Sequence, residues 1–201
     1  MGELSYMEMR REMVTVAKLM WDRRLTNAAG GNFAVKVAPG MMLVSPSLMS
    51  ERRHCELDVG DFLLVDSAMN VLEGQGKLSR ESYMHQLILG NFQTIGCTIH
   101  AHPFWSMVYV VQAKPIPSVS EATMGRGDVG CIPYTKAYTK ELSENVYRYF
   151  EEHRAVAEKK PIGCILPLHG VVVSGPDIYM AYSMLERVEC DAVCGLFKNN
   201  I

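Results

Sequence analysis

The stretch Thr98-Ile99-His100-Ala101-His102-Pro103 places two histidines at alternate positions, at the end of an apolar run over residues 95–99. Side chains two residues apart leave an extended strand on the same face. These two imidazoles can therefore close on one metal ion, or each can be a half-buried ring that is hydrogen-bonded to a carbonyl group. A structural zinc site needs about four protein ligands and a catalytic one about three. The choice between the two interpretations depends on further ligands.

Composition and charge limit the classes of protein to which the chain can belong. The 201 residues are 48% hydrophobic and 21% charged, as expected for a single globular domain over residues 1–201. A net charge of -2 argues against a nucleic-acid partner. The chain has neither an apolar run of about 20 residues nor a signal-peptide pattern, so no membrane partner is expected. The six cysteines form no C-x-x-C pair and lie mostly in apolar runs, which is typical of core residues in a cytoplasmic protein.

Apolar periodicity predicts short strands interleaved with helices, and hence an α/β domain with helices on both faces of a sheet. Ser79 is the predicted N-cap of the second helix, and Pro176 is placed in the first turn of the last. Residues 112–128 show no clear periodicity. The predicted helices are 4–24, 80–91, 103–111, 139–158 and 177–196, and the predicted strands are 33–37, 41–44, 62–65, 71–72, 95–100, 163–168 and 170–174.

Three further residues are candidates to complete a metal site. His169 lies between two apolar runs beside Gly170, so its ring is either a ligand or a core histidine with a hydrogen-bond partner. Glu81 lies in the first predicted turn of a helix, where the helix dipole alone would favour a carboxylate. His85, one turn further on, is either an alternative ligand or a partner that orients one.

The motifs that contain these residues occur in an order that resembles the class II aldolase/adducin family, from about residue 7 to residue 196. This resemblance implies a three-layer α/β/α sandwich around a central, largely antiparallel sheet. It also implies a homotetramer with sites at subunit interfaces. The motifs are Gly31-Asn32-Phe33, Lys77-Leu78-Ser79-Arg80-Glu81 with His85, His100-Ala101-His102-Pro103, Pro133-Tyr134 and Leu168-His169-Gly170.

The resemblance further implies a zinc ion and a reaction. The ligands would be His100, His102 and His169, and Glu81 would both bind the zinc and act as the acid/base. Three neutral imidazoles leave zinc a strong Lewis acid, although imidazole also accepts manganese or cobalt. The implied activity is cleavage of a small ketose phosphate into dihydroxyacetone phosphate and an aldehyde, through an enediolate that the metal stabilises. Glutamate at position 81 favours this aldolase branch, whereas aspartate would resemble an epimerase branch.

The family binds substrate phosphate at positions that correspond to Gly31, Asn32, Ser47, Ser79 and the N-terminus of the helix predicted to start at Arg80. Backbone amides and hydroxyl groups there can cradle an anion, although two adjacent glycines alone also fit a plain turn. The chain departs from the family pattern twice in this region. Leu48 stands where a glycine is common, and Arg80 replaces a small hydroxyl residue and could clamp a phosphate or a carboxylate.

A tyrosine that donates a proton in members of the family has no clear counterpart, and Glu121 is the predicted substitute acid. The matching region reads Ser118-Val119-Ser120-Glu121. Alternative functions are therefore a metal-dependent dehydratase, an epimerase, or a hydroxy-acid decarboxylase in which Arg80 holds a carboxylate. A non-catalytic, adducin-like scaffold is a further alternative, but such domains are expected to lack the complete ligand set.

Overall fold

The computed structural model describes residues 4–198, in which eight strands form one sheet. The strand order is β4-β3-β2-β1-β5-β8-β7-β6, and β6 pairs with β7 in parallel while the other neighbours are antiparallel. This confirms the predicted α/β class with a largely antiparallel sheet. The strands are β1 (Asn32–Ala38), β2 (Met41–Val44), β3 (Leu63–Asp66), β4 (Val71–Glu73), β5 (Cys97–Ala101), β6 (Gly130–Cys131), β7 (Gly163–Leu166) and β8 (Gly170–Gly175).

Helices cover both faces of the sheet. None of those among residues 4–198 combines the length and the apolar character that a membrane crossing requires. The helices are α1 (Met7–Asp22), α2 (Met49–Arg53), α3 (Ser82–Asn91), α4 (Ser106–Val110), α5 (Glu121–Met124), α6 (Lys140–Glu152), α7 (Arg154–Ala157) and α8 (Ile178–Phe197). A 3-10 turn, Val59–Asp61, precedes β3.

Two apolar cores, one on each face, make this a three-layer sandwich. Side chains alternate along the central strand β5, so Cys97 and Ile99 pack toward α1 and α8. Thr98 and His100 point to the other face, where α3 and α6 pack. The helical residues of the first core include Met13, Val16, Met20, Leu185 and Val188, and those of the second include Met84, Ile88, Leu142, Val146 and Phe150.

Several predicted boundaries were wrong, and local hydrogen bonds explain two of them. α3 begins at Ser82 and its N-cap is Glu81, because Ser79 instead starts a turn in which its carbonyl accepts from the Ser82 amide. The last helix is capped by Asp177, whose carboxylate accepts from the Met180 amide, so Pro176 lies outside it. The predicted helix 139–158 is interrupted at His153 and continues as α7. The cysteines were expected to be mostly core residues, but Cys190 and Cys194 are exposed on α8.

Candidate metal centre

Three histidines converge where the central strands of the sheet end. His100 lies on β5, His102 follows that strand, and His169 lies in the turn between β7 and β8. The turn reaches the end of β5 because Ala101 pairs with Val171 in the antiparallel register. One ring nitrogen from each histidine lies within 4.8 Å of the others, and among residues 4–198 only this trio forms such a cluster. The sequence motifs are therefore brought together in space.

Hydrogen bonding orients the His100 ring toward the other two. Its Nδ1 lies 3.0 Å from the Val171 carbonyl oxygen, which can only accept, so Nδ1 carries the proton. The other nitrogen, Nε2, then keeps a lone pair, and it lies 3.2 Å from Nε2 of His102. A ring that donates one nitrogen to a carbonyl and offers the other to a shared centre has the usual arrangement of a metal-binding histidine.

Glycine at position 170 makes this close approach of rings and backbone feasible. A Cβ atom there would lie 2.5 Å from Cδ2 of His102 and 2.9 Å from Cε1 of His100. The preceding Leu168 adopts a left-handed conformation, with φ 62, and its amide donates to the Val110 carbonyl. The missing side chain at Gly170 and the conformation of Leu168 allow the tight turn that contains His169 to pack against the end of β5.

Glu81 completes the cluster with a carboxylate. Its Oε2 lies 3.5 Å from Nε2 of His100, and its Oε1 lies 3.3 Å from Nε2 of His169. Asn32 donates to Oε2 at 2.9 Å, whereas Oε1 is buried and has no hydrogen-bond partner. A buried carboxylate oxygen left without a partner is costly, at about 1–3 kcal/mol or more. Three imidazole nitrogens beside such an oxygen form a donor set that fits a divalent cation such as zinc.

Burial keeps the imidazoles of the site uncharged. It lowers the pKa of His102 to about 3, and it lowers the pKa values of His100 and His169 as well. For His100 and His102, the neighbouring histidines of the cluster act in the same direction as burial. Only a neutral imidazole can bind a metal, so the environment favours the binding-competent form.

We expect the metal-free protein to lose stability as the pH falls below about 6.5, the pKa of histidine in an unfolded chain. The buried His85 keeps its neutral form to a pH of about 4, so in this interval the unfolded state binds more protons than the native state. Each such histidine lowers the free energy of unfolding by about 1.4 kcal/mol per pH unit. Urea titrations of chelator-treated protein across this interval measure the slope. A flat profile across this interval would contradict the expectation.

The pocket around the histidines also contains the residues predicted to bind substrate. Gly31, Asn32, Ser47, Ser79 and Arg80 all line it. The Asn32 carboxamide donates to Glu81, and the Ser47 amide donates to the Lys77 carbonyl. Neither of these is a group expected to bind the anion; the expected groups are the backbone amide of Asn32 and the hydroxyl group of Ser47. Leu48 has φ 63, in the region that favours glycine, which is the residue that the family pattern places there.

Tyr138 is a pocket residue that the sequence analysis missed. Tyr138 lies with its ring centroid 6.2 Å from that of His169, and the guanidinium carbon of Arg80 lies 3.5 Å above the Tyr138 ring. Nothing in the sequence marked this tyrosine, because its loop forms no motif with the histidines. Glu121, by contrast, is exposed at the start of α5 and is not among the residues that line the pocket. Its acid role stays a prediction.

His85 does not join the metal cluster. It is fully buried on α3, with Nε2 2.6 Å from Oδ1 of Asn32 and Nδ1 2.7 Å from Oγ1 of Thr98. The sequence left open whether His85 is an alternative ligand or a partner that orients one. This geometry favours the second role.

The chain is similar to known proteins over most of its length. The family model described as "Class II Aldolase and Adducin N-terminal domain" matches residues 11–194. A 5-deoxy-D-ribulose 1-phosphate aldolase from Bacillus thuringiensis is 27% identical over 182 residues, which is 90% of this chain and 80% of that protein. An L-fuculose phosphate aldolase from Methanococcus maripaludis is 26% identical over 191 residues, covering 94% of this chain and 97% of its own.

Solved structures show the same architecture. An L-fuculose 1-phosphate aldolase superposes with a TM-score of 0.82 at 26% identity, covering 98% of this chain and 88% of its own. YgbL from Escherichia coli, titled a putative aldolase/epimerase/decarboxylase, superposes with a TM-score of 0.78 at 21% identity, covering 95% and 90%. The second likeness concerns the fold alone.

Proposed function

Because the chain belongs to the class II aldolase and adducin N-terminal domain family, we propose that it is a zinc-dependent aldolase acting on a small ketose phosphate. The products would be dihydroxyacetone phosphate and an aldehyde. The observation that carries the proposal is a cluster of three histidine nitrogens within 4.8 Å of one another, beside the buried Glu81 carboxylate, whose Oε1 lacks a hydrogen-bond partner. A scaffold without catalytic activity has no need for such a donor set, which argues against the adducin-like alternative.

His100, His102 and His169 would hold the cation, with Glu81 as a further ligand when no substrate is bound. When bound, a divalent cation supplies Lewis-acid stabilisation of the negative charge that develops on a ketose as a carbon–carbon bond breaks. We propose zinc, with manganese or cobalt as ions that the same imidazoles accept.

Glu81 is the group placed to move the proton. Its carboxylate is buried, lies beside the histidines and is held on one oxygen by Asn32. A carboxylate in such a pocket can take a proton from a substrate hydroxyl group and return it to carbon, as a general base and then a general acid. Because Glu81 is buried, water is largely kept from the proton-transfer step.

The phosphate would bind at the outer part of the pocket, on Gly31, Ser47 and Ser79. Arg80 is exposed there, and its guanidinium group is stacked on Tyr138, which holds a positive charge over the entrance. Arginine recognises phosphate through two parallel hydrogen bonds. The exposed Leu48 takes the space that a glycine would leave. We therefore expect this chain to bind the phosphate through Arg80 more than through backbone amides.

A second candidate function is decarboxylation of a hydroxy acid at the same site. Arg80 favours it, since a guanidinium group pairs with a carboxylate in the same bidentate way as with a phosphate. Dehydratase or epimerase activity would use the same metal and carboxylate, but no separate feature of the pocket favours either.

We propose that the protein assembles as a homotetramer with its sites between subunits. Support comes from large apolar side chains exposed next to the metal centre: Leu168, beside His169, is 63% exposed, and Phe104, two residues after His102, is 57% exposed. Sedimentation analysis of the purified protein tests the assembly. The cytoplasmic location expected from the sequence stays a prediction.

A substrate screen tests the reaction. We expect the zinc-loaded protein to release dihydroxyacetone phosphate from L-fuculose 1-phosphate or 5-deoxy-D-ribulose 1-phosphate, with kcat/KM for the preferred substrate of at least about 10⁴ M⁻¹s⁻¹. Release is measured by coupled enzymatic reduction of that product. Release of carbon dioxide from hydroxy acids, without cleavage of either ketose phosphate, would instead establish the decarboxylase. If the protein shows no turnover and binds no metal, the non-catalytic, adducin-like scaffold would be the remaining interpretation.

A further inference from the structure

A buried series of hydrogen bonds lies behind Glu81, and the proposed function uses only its last bond, from Asn32 to Glu81. Thr98 on β5 contacts His85 on α3, His85 contacts Asn32 at the start of β1, and Asn32 contacts Glu81. The three distances are 2.7, 2.6 and 2.9 Å in that order. All four residues are at most 4% exposed. Three separate elements of the fold therefore contribute to the environment of one carboxylate.

The chemistry of each group determines the direction of every bond in the series. The Glu81 carboxylate oxygen Oε2 accepts, so Asn32 must present its Nδ2 donor to it and its Oδ1 acceptor to His85. That acceptor requires a proton on Nε2 of His85. Because burial lowers the pKa of His85 to about 4, the ring is neutral near pH 7 and its Nδ1 keeps a lone pair. The Thr98 hydroxyl group donates to that lone pair.

The two oxygens of Glu81 consequently differ. Oε2 is held at the end of the series and must remain an acceptor, because the Asn32 group that faces it can only donate. Oε1 is buried without a hydrogen-bond partner and lies 3.3 Å from Nε2 of His169. Protonation of Oε2 would break the contact with Asn32, whereas protonation of Oε1 would leave the whole series intact.

We propose that His85 is a positioning residue: acting through Asn32, it anchors Oε2 of Glu81 and so leaves Oε1 as the oxygen that takes up and returns the proton. The inference rests on the proposed function for the proton transfer itself. The anchoring is independent of the substrate, and it also sets the orientation in which Glu81 meets the three histidines. His85 touches neither substrate nor metal in this role.

The alternative role for His85 is purely structural, as a core histidine whose ring nitrogens have hydrogen-bond partners. Two variants distinguish the positioning role from this structural role. His85→Leu fills the space without polar atoms, whereas His85→Gln keeps one donor for Asn32 and one acceptor for Thr98. We expect His85→Leu to lower kcat by about 10–100-fold with little change in KM, since removing the partner of a metal-site residue has effects of this size. His85→Gln should recover most of that loss. His153→Leu, the same change at an exposed histidine, should leave the kinetics unchanged.

Two measurements do not depend on turnover. Zinc affinity of His85→Leu, from competition with a chromophoric chelator, should weaken by about 10-fold because the Glu81 carboxylate is no longer held. Nitrogen-15 NMR of histidine-labelled, zinc-free protein should show His85 as a neutral ring with its proton on Nε2. If His85→Leu does not fold, Thr98→Val tests the same series at its far end. It should weaken zinc affinity and lower kcat, as expected for His85→Leu.

The outcomes separate the inference from the proposed function. A wild-type protein without lyase activity would end the proposed function, while zinc affinity and the NMR tautomer would still decide whether His85 anchors Glu81. Unchanged kcat and zinc affinity in His85→Leu would overturn the inference. So would equal losses in His85→Leu and His85→Gln that follow only their melting temperatures, because a structural role alone predicts that pattern.

Discussion

Glu81→Gln should lower kcat by about 10²–10⁴-fold while the protein keeps its zinc, since general acid–base groups contribute effects of this size. Glutamine has nearly the same shape as glutamate but cannot take up a proton. Asn32 presents a donor to this side chain, so the glutamine oxygen would turn to Asn32 and its NH₂ group would occupy the place of Oε1. The three histidines remain, which is why metal binding should survive with at most a moderate loss of affinity.

The measurement pairs steady-state kinetics on the preferred ketose phosphate with elemental analysis of the same preparation. Glu56→Gln makes the identical charge change at an exposed position outside the pocket, and it should match the wild type in both assays. Full turnover in Glu81→Gln would remove the proton-transfer role from this residue. Loss of both zinc and turnover would instead make Glu81 chiefly a ligand.

Gly170→Ala should abolish stoichiometric zinc binding, although it adds only one methyl group. That methyl carbon would lie 2.5 Å from Cδ2 of His102, 2.6 Å from the Ala101 carbonyl oxygen and 2.9 Å from Cε1 of His100. Two of these atoms belong to rings whose positions define the metal site, and the third belongs to the backbone of β5. The rings must move apart, and overpacking of this kind also destabilises a protein by about 1–3 kcal/mol.

A glycine-to-alanine change at an exposed position of α3 controls for this experiment. Gly90 lies inside α3, where an added Cβ would meet only the Nε2 atom of Gln86, at 3.8 Å. Gly90→Ala should keep one zinc per chain and raise the melting temperature, because alanine is favoured over glycine in a helix by about 1 kcal/mol. Circular dichroism verifies that both variants fold. One zinc per chain in folded Gly170→Ala would show that the rings tolerate the displacement.

Much of the fold could be predicted because it rests on local patterns. Alternation and apolar runs located the central strands, and the order of five motifs indicated the three-layer sandwich, which the structure confirms. The errors lie at element ends, where a few hydrogen bonds decide the outcome. Ser79 has the chemistry of an N-cap, yet its carbonyl closes a turn with Ser82 and moves the start of α3 past Glu81.

The candidate site was predictable to a different degree for each residue. His100, His102, His169 and Glu81 were selected from spacing and resemblance, and the structure brings all four together. Their roles remain predictions. Tyr138 was not selected, because it has no fixed sequence distance from any motif and reaches the pocket only by the path of its loop. Asn32 was selected for its backbone amide, whereas its side chain is the part that contacts Glu81.

The sequence by itself determined which chemical groups the protein has for the proposed reaction and the faces of the strand and helix from which they project. Those properties follow from residue type and from the period of a strand or helix, which are local. Only the tertiary structure decided that Asn32 bridges His85 and Glu81, and that one oxygen of Glu81 is anchored while the other is not. Such hydrogen bonds join residues about fifty positions apart, at atomic distances that no spacing rule specifies, and they form only where the packing of β1, β5 and α3 excludes water.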